Sequence, residues 1–142
     1  MPKTSLLSQQ RSVEELVQDI DNLTAEIQEL YLQDEVPFVI GWSGGKDSSC
    51  ILQLIWNAVA NLPVEQRTKT IHVITNDTLV ENPIVTAWVD RCIKQMEIAA
   101  QKQQMPIKTH ITFPEVKDRF WVCLMGKGYP SPRNRFRWCT DR

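Results

Sequence analysis

Long hydrophobic runs are missing from this sequence, and so is an apolar leader. No apolar stretch approaches the roughly 20 residues that a helix needs to span a bilayer. The first residues, MPKTSLLSQQRSVEEL, lack the continuous apolar core and the small-residue cleavage site of a secretory signal peptide. With 42% hydrophobic and 23% charged residues in 142, the composition is that of one ordinary globular domain. We therefore expect a cytoplasmic protein.

Closely spaced cysteines are missing too. The four cysteines lie at wide, irregular separations and form no C-x-x-C pair: Cys50, Cys92, Cys123 and Cys139. The spacing therefore predicts neither a zinc ribbon nor a thioredoxin-like dithiol. In a reducing cytosol we expect free thiols, at least two of which fill the core.

Basic residues are absent from one part of the chain and concentrated in another. Residues 14–35 contain eight acids and no lysine or arginine. Residues 126–142 reverse the balance, with five basic residues against Asp141 alone: Lys127, Arg133, Arg135, Arg137 and Arg142. An arginine-rich stretch indicates a polyanionic ligand such as a nucleotide, sulfate or nucleic acid, although a solvated basic tail has the same composition.

An amphipathic helix is predicted over residues 13–32, and residues 1–35 form the N-terminal unit of the predicted domain organisation. Ser12 and Glu15 make a capping box. Apolar residues follow at helical spacing: Leu16, Ile20, Leu23, Ile27 and Leu30. We therefore expect the helix to be amphipathic, with a solvated acidic outer face.

Residues 36–142 predict an α/β domain. Apolar, β-branched runs at residues 36–42, 70–75 and 107–113 have the pattern of buried strands. Helices are predicted after each, the second opened by Asn82 and Pro83, the third running from Pro114 to Gly126. Strands alternating with helices imply a parallel sheet, whose ligands bind at the carboxyl ends of the strands. Residues 41–49, residues 76–82 and the loop after the third strand lie on that edge.

A glycine-rich turn joins the first of these strands to its helix, as Ser43-Gly44-Gly45-Lys46-Asp47-Ser48. Glycines let backbone amides approach an anion, and the helix dipole favours negative charge there. The spacing excludes a Walker A loop, because only three residues separate Gly41 from Gly45 and Asp47 follows Lys46; no G-x-G-x-x-G is present either.

The segment resembles, residue for residue, the SGGxDS signature of the PP-loop ATP pyrophosphatases. This resemblance implies a three-layer α/β/α fold of the adenine nucleotide alpha hydrolase type, and cleavage of ATP between its α and β phosphates. Ser43, Gly44, Gly45, Ser48 and Ser49 would offer amides and hydroxyls to the phosphates. Lys46 would add positive charge, and Asp47 would lie near Mg²⁺ or order the loop.

Two more segments are similar to the branch that includes the phosphoadenylyl-sulfate (PAPS) reductases. Residues 76–83 resemble its TDT…E.P segment, with Asn76 in place of threonine, and residues 137–140 match its RWCT segment. In that branch these segments frame the adenosine and the group to be activated. The resemblance therefore adds Asp77, Thr78 and Glu81 to the expected nucleotide site.

Four segments together look like the DndC family, the DNA phosphorothioation sulfurtransferases of the Dnd system: residues 81–83, 120–122, 126–130 and 136–140. The resemblance covers about residues 36–142. It implies an ATP-dependent replacement of a non-bridging oxygen of the DNA backbone by sulfur, with adenylation of the phosphate oxygen and release of pyrophosphate. The implied partners are a cysteine desulfurase and other Dnd proteins, and the implied cofactors are ATP, Mg²⁺ and a [4Fe–4S] cluster.

The basic end would bind the nucleic-acid substrate. Lys127, between Gly126 and Gly128, could close over a phosphate, and three arginines could hold the DNA backbone: Arg133, Arg135 and Arg137. Neighbouring arginines would lower the pKa of Cys139, which is therefore a candidate catalytic thiolate or iron–sulfur ligand.

Other chemistry-bearing residues have simpler interpretations. Cys50 could meet a cluster but is expected to be buried, and Cys92 and Cys123 are expected to be structural. Trp42 and Trp88 are expected to pack, with stacking on adenine as the alternative. His72 and His110 are expected to be core or edge histidines.

Because the sequence ends within the RWCT-like motif and has no compact set of four cysteines, we expect an N-terminal fragment with further ligands downstream.

Three alternatives stay open at this point. A PAPS reductase-type enzyme would act by direct thiol attack without cleaving ATP, and a tRNA-thiolating relative would modify another nucleic acid. A nucleotide-binding module that depends on partner proteins is the third possibility.

Overall fold

The computed structural model of the chain describes residues 12–132, beginning with helix α1 (Val13–Gln33). The predicted capping box is present: the Ser12 hydroxyl accepts from the amide of Glu15 at 3.1 Å, and the Ser12 amide donates to the Glu15 carboxylate at 2.9 Å. Two otherwise unpaired amide groups are satisfied by this exchange, which fixes the start of the helix. The prediction of this helix and its boundary is confirmed.

The sheet consists of three parallel strands: β1 (Phe38–Gly41), β2 (Ile71–Asn76) and β3 (Ile107–Thr112). Their spatial order, β1-β2-β3, is the order of the sequence. Helices α2 (Lys46–Ala60) and α3 (Pro83–Lys102) make the two connections. The α/β class and the parallel sheet are therefore confirmed, and the carboxyl ends of all three strands meet at one edge.

The two faces of the sheet differ in burial. Phe38, Ile40, Ile71, Val73 and Ile107 share one face, which packs against residues of all three helices in a single hydrophobic cluster. The other face carries Val39, His72, Ile74, Lys108 and His110, and Val39 is 66% exposed. On this face, Nδ1 of His72 and Nε2 of His110 lie 2.8 Å apart. Both histidines are therefore strand residues on the open face of the sheet rather than core residues. Within residues 12–132 the hydrophobic cluster thus lies on one side of the sheet, and the third layer stays a prediction.

The segment after β3 differs from the predicted single helix between Pro114 and Gly126. It forms a 3₁₀ turn (Val116–Asp118) and a π-helical turn (Val122–Gly126), and Arg119 between them is extended, with φ −64° and ψ 143°. An extended residue cannot continue the amide-to-carbonyl ladder of an α-helix. Cys123 lies in the π-helical turn and is fully buried, and its thiol donates to the carbonyl of Lys117 at 3.6 Å. Its structural interpretation agrees with this burial, and the prediction of one continuous helix was wrong.

The end of α1 is attached to the sheet through Lys69, just before β2. The Lys69 ammonium donates to Asp34 Oδ1 at 2.6 Å and to the carbonyl of Leu30 at 3.2 Å, and lies 5.0 Å from the centre of the Phe38 ring. The Tyr31 hydroxyl donates to the Lys69 carbonyl at 2.6 Å. Since the Lys69 side chain is only 2% exposed, these partners replace the water that its charge loses on burial.

None of the helices between residues 12 and 132 combines the length and the apolar character that crossing a membrane requires.

Replacement of Asp34 by asparagine should lower the melting temperature at pH 7. The hydrogen bond from Lys69, followed by that from the amide of Val36, holds the pKa of the Asp34 carboxyl below its usual value. Its contribution to stability is therefore present above the ordinary aspartate pKa of about 3.9 and is lost as the pH falls through the lower, folded-state value. Thermal denaturation of both proteins between pH 7 and pH 2.5 should show the difference shrinking in acid. Asp21→Asn, an exposed position on the same helix, is the control; equal losses for both variants at every pH would contradict the role of the ion pair.

Candidate functional site

The candidate site begins at Trp42, the residue after β1. Its amide donates to the carbonyl of Ile74 at 2.8 Å, and its carbonyl accepts from the Thr75 hydroxyl at 3.0 Å. Its indole Nε1 donates to the Ser49 hydroxyl at 3.1 Å, and the side chain is buried. The main chain of Trp42 is thus fixed to β2 and its side chain to α2, so the loop between them starts from a rigid point. The expectation that Trp42 packs is confirmed.

Gly44 is the residue of this loop that requires glycine. Its φ is +77°, which residues with a Cβ adopt at a cost. A Cβ built there would lie 2.5 Å from Cζ3 of Trp88, which extends from α3. The Trp88 ring also stacks on Trp42, with 6.2 Å between centroids and 27° between planes. The Trp88 indole therefore supports the loop from one side, and 46% of the residue stays exposed to solvent.

Two serine hydroxyls close the loop onto the first turn of α2. The hydroxyl oxygens of Ser43 and Ser48 lie 3.2 Å apart, and the Ser48 hydroxyl donates to the carbonyl of Gly45 at 3.2 Å. The Ser43 amide donates to the Ser48 hydroxyl at 3.3 Å. Gly45 occupies the N-cap position and has no side-chain oxygen to bind the first amides of α2. The first amides of a helix have no intrahelical acceptor, and together with the helix dipole they attract an anion.

Lys46 and Asp47 lie at the solvent side of the loop. Their side chains are 91% and 89% exposed, and the ammonium and carboxylate are 3.9 Å apart. Such an exposed pair contributes little to stability, so neither side chain is committed to a structural role. Lys46 is consequently available to a phosphate group bound at the loop.

An open cavity of about 320 Å³ lies beside the loop at the carboxyl edge of the sheet. It brings together three of the predicted residues, Ser43, Asp77 and Glu81, which come from two separate loops. The other residues that line it are Thr75, Asn76, Val85, Thr86, Val89, Asp90, Ile111 and Phe113. The predicted glycine-rich loop and the predicted acidic turn after β2 therefore line the same cavity.

The turn after β2 holds the two predicted acids in place. The Asp77 carboxylate accepts from the amide of Leu79 at 2.8 Å, and Leu79 itself is left-handed with φ 62°. The Thr78 hydroxyl donates to the Glu81 carboxylate at 3.0 Å. Asn82 then caps α3, as predicted, by accepting from the amide of Ile84 at 2.9 Å. Thr78 thus positions the side chain of Glu81, which lines the cavity.

The charges of the cavity suit the nucleoside end of a nucleotide better than its phosphates. Among the residues between 12 and 132 that line the cavity, Asp77, Glu81 and Asp90 are acidic and none is lysine or arginine. Carboxylates accept hydrogen bonds from ribose hydroxyls and amino groups but repel phosphate oxygens. Valine, isoleucine and phenylalanine side chains supply apolar walls for a base. The adjacent loop, with its amides and Lys46, is the matching place for phosphates.

Metal ligands are not clustered in the described part of the chain. Between residues 12 and 132, no group of three or more histidines, cysteines, aspartates or glutamates is close enough to hold a metal ion. Mg²⁺ is commonly held by one or two carboxylates together with phosphate oxygens and water. Asp47 lies on the loop and Asp77 lines the cavity beside it.

The described cysteines do not fit an iron–sulfur cluster. Cys50 is exposed on α2, Cys92 is partly buried on α3, and Cys123 is buried under the last turns. The expectation that Cys50 is buried was wrong, because its position on α2 faces solvent rather than the cluster of Leu52 and Val59. Cys139, the candidate thiolate and cluster ligand, lies outside the described residues.

Other predicted residues lie away from the cavity. Ser49 uses its hydroxyl to accept from Trp42, and it lines a second cavity of about 370 Å³ between α2 and α3. Lys127 pairs with Asp118 at 3.3 Å and lies 5.8 Å from the centre of the Tyr129 ring. Asp118 lines a further cavity that shares Asn76 and Phe113 with the first, so Lys127 is near the same sheet edge. Three predicted substrate-binding residues lie outside the described part: Arg133, Arg135 and Arg137.

Sequence reasoning missed Thr86, Asp90 and Phe113, which complete the cavity wall. Thr86 and Asp90 are four residues apart on α3 and therefore lie on one side of that helix. Both residues lie in the first two turns after the Asn82 cap, and these turns start at the sheet edge where ligands bind. The sequence could therefore have indicated that they line the site. Trp88 was expected to pack; it does so against the glycine loop.

No family model, no curated protein and no solved structure matches this chain. The family resemblance carried by its motifs is therefore a prediction, and the geometry above is the independent observation on which a functional proposal rests.

Replacement of Gly44 by alanine should lower the free energy of unfolding by about 1–2 kcal/mol, the usual cost of a left-handed non-glycine residue, with a further loss from displacing Trp88. Gly41→Ala is the control, because a Cβ at Gly41 has no atom within 4 Å and its φ is not left-handed. Urea denaturation should show Gly41→Ala close to wild type. In a double-mutant cycle, Trp88→Ala should remove part of the penalty of Gly44→Ala; strict additivity of the two would contradict the contact.

Proposed function

We propose that this chain binds ATP with its phosphates at the serine–glycine loop and its nucleoside in the adjoining cavity, and that it splits ATP between the α and β phosphates as the PP-loop ATP pyrophosphatases do. The observation that carries the proposal is the arrangement at the carboxyl edge of the sheet. A glycine N-cap exposes the first amides of α2 directly beside an acidic, apolar-walled cavity. The amides of α2 suit the phosphates, and the acidic, apolar-walled cavity suits the nucleoside.

The residues of the loop would stabilise the leaving pyrophosphate. Negative charge grows on the β-phosphate oxygen as the bond to the α-phosphorus breaks, and amides at a helix N-terminus stabilise such charge in place. Lys46 adds a mobile positive charge, while Ser43 and Ser48 can donate their hydroxyls to phosphate oxygens after giving up their contacts within the loop. Asp47 would hold Mg²⁺ against the phosphates, and the ion would neutralise part of their charge.

For the substrate we propose a DNA backbone phosphate, which makes the enzyme a sulfurtransferase of DNA phosphorothioation acting in the cytoplasm. A non-bridging oxygen attacks the α-phosphorus of ATP, a new phosphorus–oxygen bond forms, and pyrophosphate leaves. The terminal sulfur of a persulfide then attacks the DNA phosphorus, and AMP leaves with the original oxygen. A second thiol releases the sulfur from its carrier and is oxidised to a disulfide. Support comes from the DndC-like segments and the arginine-rich end of the sequence.

Partners and thiols complete this proposal. A cysteine desulfurase would supply the persulfide, and Cys139 is the candidate thiolate for receiving it. No step is assigned to an iron–sulfur cluster, because the cysteines between residues 12 and 132 are separated on α2, α3 and the last turns.

A PAPS reductase-type activity is the alternative. Asp77 and Glu81 belong to the segment that resembles the PAPS reductase branch, so these two acids do not separate the two substrates. Asp90 is the further acid of the cavity, and the extra phosphate that PAPS carries on its ribose would enter its neighbourhood. Like charges at short range in a partly desolvated site disfavour binding. ATP has free ribose hydroxyls at the same place, and these can donate to carboxylates.

Calorimetric titration should show binding of ATP with Mg²⁺ and a weaker or absent response to PAPS. Lys46→Ala should weaken ATP binding by about tenfold or more, since a hydrogen bond to a charged group contributes about 1.5–3 kcal/mol. Ser48→Ala should weaken it less. Lys94→Ala, an exposed lysine in the middle of α3, should leave the affinity unchanged.

Two outcomes would reject the proposal in different ways. Tighter binding of PAPS than of ATP would favour a reductase and remove the DNA-modification interpretation. Failure to bind either nucleotide by a chain that circular dichroism shows to be folded would leave a module that depends on partner proteins.

Binding to duplex DNA should depend on salt through the arginine-rich end. Each phosphate contact contributes about 0.9 to the slope of log affinity against log salt concentration. Simultaneous replacement of Arg133, Arg135 and Arg137 by alanine should therefore reduce that slope by as much as about 3. Fluorescence anisotropy with labelled DNA at several salt concentrations measures it, and Lys102→Ala on α3 is the control. An unchanged slope in the triple variant would exclude these arginines as the DNA contacts.

A further inference from the structure

Helix α1 carries a second pattern besides its capping box. Six apolar residues recur along it at alternating intervals of three and four: Val13, Leu16, Ile20, Leu23, Ile27 and Leu30. This is the spacing of the a and d positions of heptads, with a at residues 13, 20 and 27 and d at residues 16, 23 and 30. The a positions hold valine or isoleucine, and the d positions hold leucine only. Branching of this kind favours parallel two-stranded coiled coils.

Residues 12–132, the part that the structure describes, leave this stripe largely uncovered. Five of the six side chains are exposed, from 39% for Ile20 to 73% for Val13, and Ile27 is half-buried. The helix contacts the rest of the molecule through a neighbouring side, where Gln28 donates to the carbonyl of Ala58 at 2.8 Å and Tyr31 to that of Lys69 at 2.6 Å. The stripe is therefore largely exposed, because the helix packs through the side that carries Gln28 and Tyr31. An exposed apolar stripe of this length is typical of an interaction surface.

The residues at the a and d positions, β-branched at a and leucine at d, favour a second copy of the helix as the occupant, and the acids of α1 lie outside this seam. The six acids between residues 13 and 33 occupy b, c and g positions, as Glu14, Glu15, Asp19, Asp21, Glu26 and Glu29. None occupies an a, d or e position. In a parallel pair the g residues lie opposite the e positions, of which Val17 is exposed, Thr24 is half-buried and Tyr31 is buried against its own chain. Two copies therefore meet without opposed carboxylates, whereas the acidic outer side disfavours an anionic membrane surface.

The attachment of α1 to the sheet also favours pairing. Lys69, Tyr31 and Asp34 hold the end of the helix, so its last turns are formed before association. A preformed helix loses less conformational entropy when it pairs than a disordered segment would. At 21 residues, α1 presents three heptads.

We propose that α1 is a dimerisation helix, which pairs in parallel with α1 of a second copy of this chain through the stripe from Val13 to Leu30. This inference is independent of the nucleotide site. Pairing joins two copies of the chain at their N-terminal helices.

Sedimentation equilibrium of the whole chain tests the proposal. Wild type should have twice the 16.4 kDa mass of one chain, and added salt should strengthen association by screening the acids. Leu16→Glu combined with Leu23→Glu should weaken the dimer roughly 100-fold or more, because charge would be buried in the seam. Gln18→Glu combined with Ala25→Glu adds the same charge at f positions on the outer side and should leave the dimer intact.

Orientation is tested separately. Oxidation of Leu16→Cys should give a disulfide-linked dimer, because the two copies of a d position are adjacent in a parallel pair, while Gln18→Cys should not exceed the wild-type background. Circular dichroism melting shows whether each variant is folded. A monomeric wild type overturns the proposal, as does a dimer that survives Leu16→Glu with Leu23→Glu or a cross-link at residue 18 that equals the one at residue 16.

Discussion

Trp42 links the three elements on which the candidate site depends. Its backbone extends the hydrogen bonding between β1 and β2, its indole donates to Ser49 at the start of α2, and its ring stacks on Trp88 of α3. A buried residue with all of its polar groups satisfied gives the glycine loop a fixed starting point. The loop can then keep a left-handed glycine and a hydroxyl network in one geometry without a ligand. The placement of the first amides of α2 thus follows from the packing of a single aromatic residue.

The division of charge at the sheet edge sets the orientation of any nucleotide. Acids line the cavity, while the amides and the lysine belong to the loop. Both features arise from the parallel sheet, because loops that follow β1 and β2 must meet at the same edge. A polyphosphate and a nucleoside differ in charge and in hydrogen-bonding groups, so the nucleotide that we propose would fit this arrangement in one direction only.

Local patterns predicted the elements well, and contacts between distant segments escaped prediction. The Ser12–Glu15 box, the Asn82 cap and the strand–loop–helix around Gly44 depend on neighbouring residues, which a sequence displays directly. Asp90 and Phe113 reach the cavity through strand register and helix rotation, which no local pattern reveals. The segment after β3 contains extended Arg119, which periodicity alone could not anticipate. Likewise the apolar spacing of α1 indicated an amphipathic helix but not which partner covers it.

Helix α3 serves both halves of the candidate site. Trp88 touches Gly44, and Thr86 and Asp90, two residues to either side, line the cavity. A rotation of α3 would therefore change the support of the loop and the shape of the cavity together. In the nucleotide site that we propose, base selectivity and phosphate affinity would be mechanically coupled. A change of base would then require Trp88 to be repacked at the same time, so a single substitution along this helix would not achieve it.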